Sequence, residues 1–336
     1  MAKEAQILRI IDANVNRAME GLRVIEEVAR FFLEDIKSTS EIKLLRNALK
    51  NALSDIPKKQ LLINREALKD VGNGLYTKEE SKRNNFSEIF VSNIKRAEEA
   101  IRCLEEFSKL INPKIGIKIK GIRFKLYELE KQLTPKIIKH EKMDFTLYVV
   151  TDPATDHLKT AHKALSDGVK IVQFRDKHVS EKEYFHIAKK IHAMAKKYKA
   201  VFIVNDYWEL MNALDADGVH LGQEDLEVMP LNKVRKEIGE DKIIGVSTHS
   251  YEQALKAEKL GADYISVGPI FVTPSKPGRK PVGIALLKKV INRVNIPVVA
   301  IGGIDVKNYD QVVRSGCQRF AVIRAAKDAK KILGGF

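Results

Sequence analysis

A short polar segment, Gln-Phe-Arg-Asp-Lys at 173–177, directly follows the apolar run 169–172. If that run is a buried strand, its period-two alternation places Gln173, Arg175 and Lys177 on one side. Two fixed cations and an amide donor at a strand end suit a ligand with two negative charges, such as a diphosphate. The alternative is a strand end whose charges are only solvated.

Two acidic residues follow the next two apolar runs, Asp206 directly after Asn205 and Asp225 at the end of 218–225. Carboxylates after neighbouring strands can share one hard cation, with water and phosphate oxygens completing the octahedron that Mg²⁺ prefers. Taken singly, either aspartate is better explained as a helix N-cap or a loop residue. The cations at 173–177 favour the metal, so one Mg²⁺ is predicted here.

Later segments carry groups suited to binding a phosphate. Glycines 302–303 and the backbone at 323–324 stand where barrels commonly hold one, after the last two strands. The loop 273–281 carries hydroxyls and cations between prolines and a glycine, and is suited to close over a site as a lid. The sequence shows no catalytic triad, and His249 is either a general base or a rim residue without a role.

Alternating strands and helices are predicted to position these residues. The predicted strands are Thr146–Thr151, Val169–Arg175, Val201–Asn205, Gly218–Leu221, Ile243–Ser247, Tyr264–Gly268, Pro297–Ile301 and Phe320–Arg324. Eight strand–helix units in about 190 residues fit a (β/α)₈ barrel, whose carboxyl strand ends converge on one rim. An open doubly wound sheet usually has a glycine-rich loop after its first strand, which is absent here.

An internal repeat indicates that residues 1 to 135 form an all-α domain. Apolar residues recur at spacings of four and three at Ile11, Val15, Ala18, Leu22, Ile25, Ala29 and Phe32, and 79 residues later from Phe90 to Ile111. Asn14, Arg17, Glu20, Arg23, Glu26 and Glu27 return as Asn93, Arg96, Glu99, Arg102, Glu105 and Glu106. Two such helices are predicted to pair about a pseudo-twofold axis in a helical bundle.

Two interpretations stay open for the repeated polar residues. Glu20, Arg23 and Glu27 lie at i, i+3 and i+7, which fits a surface ion-pair ladder. Asn14 and Arg17 flank the apolar stripe, as do their duplicates. They therefore either form hydrogen bonds at the edge of the core or bind an anionic ligand.

Composition narrows the class of protein. With 44% hydrophobic and 31% charged residues, the chain of 336 residues is typical of globular proteins and long enough for two domains. It has no apolar run of membrane-span or signal-peptide length, and Cys103 and Cys317 fit no disulfide framework, so a cytoplasmic location is predicted. The formal charge of +15 comes with lysines placed beside glutamates, which disfavours nucleic acid and favours small phosphorylated ligands.

The predicted fold class is α/β, a C-terminal (β/α)₈ TIM barrel preceded by an all-α helical-bundle domain. The change from helical periodicity to alternating strands and helices marks the boundary. Periodicity is lost around Pro135. The predicted domains are therefore 1–135 and 144–336, joined by a linker at 136–143.

The barrel motifs resemble those of thiamine-phosphate synthase. They are Gln173-Phe-Arg-Asp-Lys, Asn205-Asp206, Gly218-Val-His-Leu-Gly-Gln-Glu-Asp225, Gly245-Val-Ser-Thr-His, Gly268-Pro-Ile-Phe with Thr273-Pro-Ser-Lys276, and Ile301-Gly-Gly-Ile304. The resemblance covers roughly residues 145 to 325 in the right order. It implies condensation of hydroxymethylpyrimidine diphosphate with hydroxyethylthiazole phosphate, which gives thiamine phosphate and pyrophosphate.

The resemblance also implies a role for each matching residue. The implied ligands of the pyrimidine diphosphate are Gln173, Arg175, Lys177, Asn205, Ser247 and Lys276. The three cations among them are predicted to be catalytic, because they would stabilise the leaving pyrophosphate. The implied Mg²⁺ ligands are Asp206 and Asp225, and those of the thiazole phosphate are Thr273, Ser275, Gly303, Ile323 and Arg324. Ser275 replaces a common threonine, and Arg324 replaces a frequent serine, so its charge either contacts the phosphate or points away.

The helical domain resembles one that is fused to such synthases and associated with hydroxymethylpyrimidine phosphate kinase activity. Asn14, Arg17, Arg23, Glu27 and Asp70-Val-Gly72 carry this resemblance. It implies ATP as a second cofactor, and a chain that makes the diphosphate in one half and consumes it in the other. The lack of a glycine-rich ATP loop favours the alternative, a non-catalytic dimerisation or scaffold module.

Another alternative keeps the barrel but makes it an isomerase of a phosphorylated ligand or a regulatory relative that binds without turnover. Isomerisation needs a positioned base more than a metal site, so Asp206 and Asp225 favour the synthase. Attack by a thiazole nitrogen needs no strong base, which fits the absence of one. The predicted partners are small phosphorylated pyrimidine and thiazole substrates, without nucleic acid or membrane; a homo-oligomer is left open.

Overall fold

The computed structural model describes residues 2–66, 82–275 and 278–335. The chain divides into two compact units, Met1–Glu141 and Lys142–Phe336. Each unit buries apolar residues of its own. No helix in the described ranges has the length and apolar character that a membrane span requires.

The first unit is helical, as the repeat predicts. Its helices are α1 (Ala2–Glu27), which continues into a π-helical turn (Val28–Phe32), α2 (Ile36–Ala52), α3 (Lys58–Ile63), α4 (Phe86–Ser108) and α5 (Pro113–Lys142). Side-chain caps fix two of the starts, because Asp35 accepts from the Ser38 amide and Asn85 from the Glu88 amide. The apolar stripes of α1 and α4 are buried and supply much of the core.

Helices α1 and α4 pack closely along their length. A Cβ at Gly21 would lie 2.8 Å from the carbonyl oxygen of Asn93, so only glycine permits this approach of the two backbones. The duplication also extends to the next helix of each half. Residues 42, 45, 46 and 49 of α2 correspond to 119, 122, 123 and 126 of α5, with an arginine at the third position and buried apolar residues at the others. The unit is therefore a duplicated helical hairpin.

The structure differs from the linker expected at 136–143. Helix α5 continues through Pro135 to Lys142. Proline removes one backbone donor inside a helix, but the apolar stripe of α5 continues on both sides of it, with Leu133 and Ile137 buried. Packing of this stripe outweighs the lost hydrogen bond. The loss of periodicity around the proline therefore did not mark a linker.

The second unit is a closed parallel barrel of eight strands in the order β1 to β8. The strands are β1 (Leu147–Val150), β2 (Ile171–Phe174), β3 (Val201–Asn205), β4 (Gly218–Leu221), β5 (Ile243–Thr248), β6 (Tyr264–Val267), β7 (Val298–Ile301) and β8 (Arg319–Val322). The outer helices are α6 (His157–Ser166), α7 (Glu181–Lys197), α8 (Met211–Leu214), α9 (Gln223–Val228), α10 (Leu231–Ile238), α11 (Tyr251–Lys259), α12 (Gly283–Ile291), α13 (Tyr309–Arg314) and α14 (Ala329–Leu333). The predicted fold class is confirmed.

Strand alternation separates an inner core from an outer layer. Tyr148 and Ile171 point into the barrel, whereas Val149 and Val172 pack against the helices. The same alternation directs the end of β2, where Gln173 lines the barrel mouth while Phe174 lies in the outer layer. The predicted alternation is therefore found at Gln173 and Phe174, whereas β2 ends before Arg175 and Lys177.

Candidate active site

Three adjoining hollows lie at the carboxyl ends of the strands. The central cavity includes Gln173, Arg175, Asn205, Ser247, Thr273, Ser275 and Ile323 in its lining. The acidic hollow is lined by Arg175, Lys177, Asn205, Asp206, Asp225, Ser247 and Arg279, among others. The glycine hollow includes Thr273, Ser275, Gly302, Gly303, Ile323 and Arg324. All predicted site residues in the described ranges therefore gather at one rim; Lys276 lies outside those ranges.

The acidic hollow contains two carboxyl groups in contact. Asp206 and Asp225 lie within hydrogen-bonding reach of each other, and Lys177 Nζ lies 2.7 Å from Asp206 Oδ2. Burial, and then the neighbouring Asp225, raise the pKa of Asp206. For Lys177, burial lowers the pKa, but the hydrogen bond and charge of Asp206 outweigh it and raise the pKa.

This arrangement fits a hard divalent cation. Two contacting carboxylates repel each other unless a proton or a cation lies between them. The described residues contain no group of three or more histidine, cysteine or acidic side chains arranged for a metal. An ion held by Asp206 and Asp225 would therefore have room for water and phosphate ligands, as Mg²⁺ prefers.

Tyr184 fixes the ends of β2 and β3 beside this hollow. Its hydroxyl donates to the carbonyl oxygen of Phe174 at 2.8 Å and accepts from the amide of Asn205 at 3.0 Å. The backbone amide of Arg175 donates to Thr151 Oγ1 at 3.2 Å. These contacts place Arg175 and Asn205 on neighbouring strand ends, where both line the acidic hollow.

A buried polar network crosses the central cavity. Gln173 Nε2 donates to the Tyr148 hydroxyl at 2.7 Å, which lies 3.2 Å from the Tyr264 hydroxyl. His220 links that hydroxyl to Ser247, with Nδ1 at 2.8 Å from Tyr264 and Nε2 at 2.9 Å from Ser247 Oγ. Burial raises the pKa of both tyrosines, so both hydroxyls stay neutral. The network joins two predicted ligands, Gln173 and Ser247.

Sequence reasoning missed this network because tyrosines inside apolar strand runs are typical of packed core. One signal for the network was nevertheless present in the sequence, the glycine at position 245 inside β5. A Cβ there would lie 2.1 Å from the Tyr264 ring. The glycine therefore makes room for Tyr264 inside the barrel, and a glycine in the middle of a strand often marks such a close approach.

The backbone of the glycine hollow adopts conformations in which residues other than glycine would be strained. Gly302 and Gly303 have φ values of +98° and +71°. A Cβ at Gly303 would lie 2.6 Å from the carbonyl oxygen of Val272. The hollow can therefore hold a phosphate against backbone atoms. Arg324 lines it, is 57% exposed, and has its Nε 3.7 Å from Asp152 Oδ2.

His249 lines both the central cavity and the acidic hollow. Its Nδ1 lies 2.5 Å from the carbonyl oxygen of Gly268. Because a carbonyl oxygen only accepts, Nδ1 carries the proton in this contact. The contact orients the ring, and neither of the two predicted interpretations of His249 is tested by it.

In the helical unit, the repeated polar residues separate into two groups. The side-chain amides of Asn14 and Asn93 donate to the carbonyl oxygens of Ile10 and Ile89 at 2.9 and 2.8 Å, so they form core-edge hydrogen bonds. Arg17 and its duplicate are exposed. Of the other residues carrying the resemblance, Asp70-Val-Gly72 lies outside the described ranges.

The second group comprises Arg23, its duplicate Arg102 and their acidic neighbours, and each of these two arginines pairs with two acids. Arg23 contacts Glu26 at 3.2 Å and Glu27 at 2.5 Å, so the pair of Arg23 and Glu27 from the predicted ladder is present. Glu26 is fully buried and also meets Arg46 at 2.5 Å. In the second hairpin the buried Glu105 meets Arg123 at 2.7 Å. Arg46 and Arg123 were missed because the repeat spacing changes from 79 to 77 between the two helices.

A (β/α)₈ barrel with cations, paired carboxyls and a glycine-rich hollow at its carboxyl rim is typical of enzymes that act on phosphorylated small molecules. The family model described as "Thiamine monophosphate synthase" matches residues 147–326, and the model described as "ThiD2 family" matches residues 9–132. The chain belongs to the thiamine-phosphate synthase family, whose members are transferases.

Named relatives agree with this assignment. A thiamine-phosphate synthase of Synechocystis sp. is 41% identical over 324 residues, which are 96% of this chain and 92% of the relative. One of Nostoc sp. is 37% identical over 329 residues, or 97% and 91% of the two chains. The solved thiamine phosphate pyrophosphorylase of Pyrococcus furiosus is 35% identical with a TM-score of 0.52, and the match covers 58% of this chain and 98% of that one.

Proposed function

We propose that the barrel condenses hydroxymethylpyrimidine diphosphate with hydroxyethylthiazole phosphate, with one Mg²⁺ held by Asp206 and Asp225. The observation that carries this proposal is the contact between the two carboxyls beside Lys177. The pyrimidine diphosphate would occupy the acidic hollow and the adjoining central cavity. The thiazole phosphate would occupy the glycine hollow, with hydroxyls of Thr273 and Ser275 at its edge.

In the reaction, the bond between the pyrimidine methylene carbon and the diphosphate oxygen breaks, and the electron pair leaves with pyrophosphate. Arg175 and Lys177 would stabilise the negative charge that develops there, and Mg²⁺ would add to this when bound. The thiazole nitrogen then forms the new carbon–nitrogen bond with its own electron pair. The amide of Gln173, held by Tyr148, would orient the pyrimidine ring.

Steady-state kinetics with each substrate varied test this placement. Lys177→Ala is expected to raise KM for the pyrimidine diphosphate at least tenfold, because it removes a charge-assisted contact. Ser275→Ala is expected to raise KM only for the thiazole phosphate. Asp241→Asn, at an exposed aspartate, serves as the control. Equal effects of Lys177→Ala and Ser275→Ala on both substrates would overturn the assignment of the hollows.

We also propose that the helical unit phosphorylates hydroxymethylpyrimidine monophosphate with ATP, so that the chain makes the diphosphate that its barrel consumes. The match of residues 9–132 to the ThiD2 family supports this proposal. The full chain is expected to form thiamine phosphate from the monophosphate, ATP and thiazole phosphate as well as from the diphosphate. Product from the diphosphate alone would refute the kinase activity.

A dimerisation module remains the second candidate for the helical unit. It is favoured by large apolar side chains that are well exposed, among them Phe31 at 65%, Leu110 at 63% and Ile117 at 71%. Light scattering of the full chain and of Ile117→Lys distinguishes the candidates. A dimer that this substitution dissociates without loss of ATP-dependent turnover would show that the two roles are separate.

A further inference from the structure

The first hairpin of the helical unit shows which residues can replace two acids of the second hairpin, the buried Glu98 and the partly buried Glu130. Glu98 of α4 corresponds, at the 79-residue spacing, to Met19 of α1. Glu130 of α5 corresponds, at the 77-residue spacing, to Leu53 at the end of α2. Met19 and Leu53 both pack in the apolar core of the unit. The hairpin fold therefore accepts an apolar pair at these positions and does not require the acids.

The two acids form a contact similar to that of the barrel aspartates. The Glu98 side chain is 8% exposed, and its carboxyl lies within hydrogen-bonding reach of Glu130. Lys95 Nζ lies 3.0 Å from Glu98 Oε2 and 2.7 Å from Glu130 Oε2. Glu98 Oε1 is buried and has no hydrogen-bond partner in the part of the chain that the structure describes.

The charges at this contact do not balance. Two ionised carboxylates share one ammonium group, and a carboxylate oxygen offers no proton to its neighbour. Burial, and also the nearby Glu130, raise the pKa of Glu98. Glu105, about two turns further along the same face of α4, shows the opposite case. It meets both Arg102 and Arg123, and these contacts outweigh its burial and lower its pKa.

A carboxyl pair with only one positive charge beside it is destabilising when one member is buried, unless a further cation or a proton completes it. Lys95 is about half exposed and Glu130 is 23% exposed, so the pair is accessible from solvent. The arrangement of one lysine and two contacting carboxyls also recurs at Lys177, Asp206 and Asp225. That recurrence places the same donor set, oxygen ligands for a hard cation, in both units.

We propose that Glu98 and Glu130 form a divalent cation site of the helical unit, with the buried Oε1 of Glu98 as one ligand. Mg²⁺ would take the remaining ligands from water and from the phosphate oxygens of a bound nucleotide. The role with nucleotide rests on the proposed kinase activity, whereas binding of the ion does not. Of the two hairpins, only the one with the acid pair has this donor set in the described residues.

Mn²⁺ binding to the full chain, measured by electron paramagnetic resonance and calorimetry, tests the site. The background variant Asp206→Asn removes the proposed barrel site, so that one Mn²⁺ per chain is expected to remain. Adding Glu98→Met and Glu130→Leu introduces the residues of the other hairpin and is expected to abolish that binding without lowering the unfolding temperature. Glu99→Gln, at the exposed neighbour of Glu98, is the matched control and should keep it.

An unchanged Mn²⁺ count in the Glu98→Met/Glu130→Leu chain would overturn the inference, as would an Asp206→Asn chain that binds none. In the second case the acids share a proton instead of an ion. Failure of the kinase proposal looks different, because the ion would bind while wild-type protein gives no turnover of the monophosphate with ATP. If wild-type protein does turn over, Glu98→Met/Glu130→Leu made in a chain that keeps Asp206 is expected to lose this activity and to retain synthesis from the diphosphate.

Discussion

Lys177 Nζ lies 2.7 Å from Asp206 Oδ2, so the loops that follow β2 and β3 meet through one ion pair at the barrel rim. Asp206 is simultaneously in contact with Asp225. The ammonium group therefore balances only one of the two negative charges. A bound divalent cation would balance both and would therefore leave Lys177 available to a phosphate oxygen.

Asp206→Asn is expected to reduce synthase turnover at least about 100-fold while the fold stays intact. Because the pKa of Asp206 is raised above 3.8, the folded chain holds this proton more tightly than the unfolded chain. The contribution of Asp206 to stability therefore falls as pH rises above 3.8 towards its folded pKa. At neutral pH without metal the variant should unfold at a higher temperature than wild type. Mg²⁺ should raise the unfolding temperature of wild type more than that of the variant, which lacks the barrel site, and calorimetry would reject this account if both respond equally.

Asp176 is expected to position the substrate-binding segment without touching the substrate. His157 Nε2 lies 2.9 Å from Asp176 Oδ2, and both side chains are buried in the outer layer. Asp176→Asn should raise KM for the pyrimidine diphosphate by about tenfold, since Arg175 and Lys177 flank it and small displacements weaken such contacts. KM for the thiazole phosphate should not change. His192→Gln, at another buried histidine, controls for general loss of stability.

Arg123→Ala is expected to destabilise the helical unit by about 3–5 kcal/mol, because it leaves the buried Glu105 carboxylate without its closest partner. Arg102→Ala, at an arginine that is 52% exposed, should cost less than about 1 kcal/mol. Burial raises the pKa of Glu105, but Arg123 outweighs it, so the pKa lies below 4.5. The stabilising contribution is therefore present above pH 4.5 and is lost as pH falls through the lowered pKa.

Urea unfolding at neutral and acidic pH measures how much the ion pair of Arg123 and Glu105 contributes to the free energy of unfolding. The difference between wild type and Arg123→Ala should shrink in acid. A difference that stays constant across the pH range would show that lost packing of the arginine, and not its charge, causes the destabilisation.

Gly245→Ala is expected to displace Tyr264, since the new Cβ would lie 2.1 Å from its ring. Overpacking of this kind typically costs about 1–3 kcal/mol. Turnover should fall roughly tenfold or more as the link from Tyr264 to His220 is disturbed. Gly121→Ala is the matched control, because no atom lies within 4 Å of its added Cβ and helical alanine should stabilise by about 0.5–1 kcal/mol. Full activity of Gly245→Ala would contradict a role for the network.

Much of this architecture could be predicted from local patterns. Short apolar runs separated by helical stretches marked the eight strands, and the alternation at Gln173 and Phe174 gave the side on which each side chain lies. Because parallel strand ends converge in a barrel, residues far apart in sequence such as Lys177 and Asp225 could be assigned to one rim. The repeat likewise predicted that α1 and α4 would form the core of the helical unit.

What the sequence concealed depends on contacts between distant residues. Tyr148 and Tyr264 have the pattern of ordinary core residues, and only packing shows that their hydroxyls meet at 3.2 Å. The charge imbalance at Glu98 appears only when α5 brings Glu130 beside it. Pro135 misled for the same reason, because a buried stripe in α5 maintains the helix that a local propensity would end.

The most direct test of the account is formation of thiamine phosphate by the full chain from the pyrimidine diphosphate and the thiazole phosphate, measured while Mg²⁺ is varied. Wild type is expected to release one pyrophosphate per thiamine phosphate, only when a divalent cation is present. The double variant Asp206→Asn/Asp225→Asn should lose turnover at every Mg²⁺ concentration. Undiminished product from that variant, or from wild type in excess chelator, would contradict the assignment of these carboxyls as the metal site of the synthase.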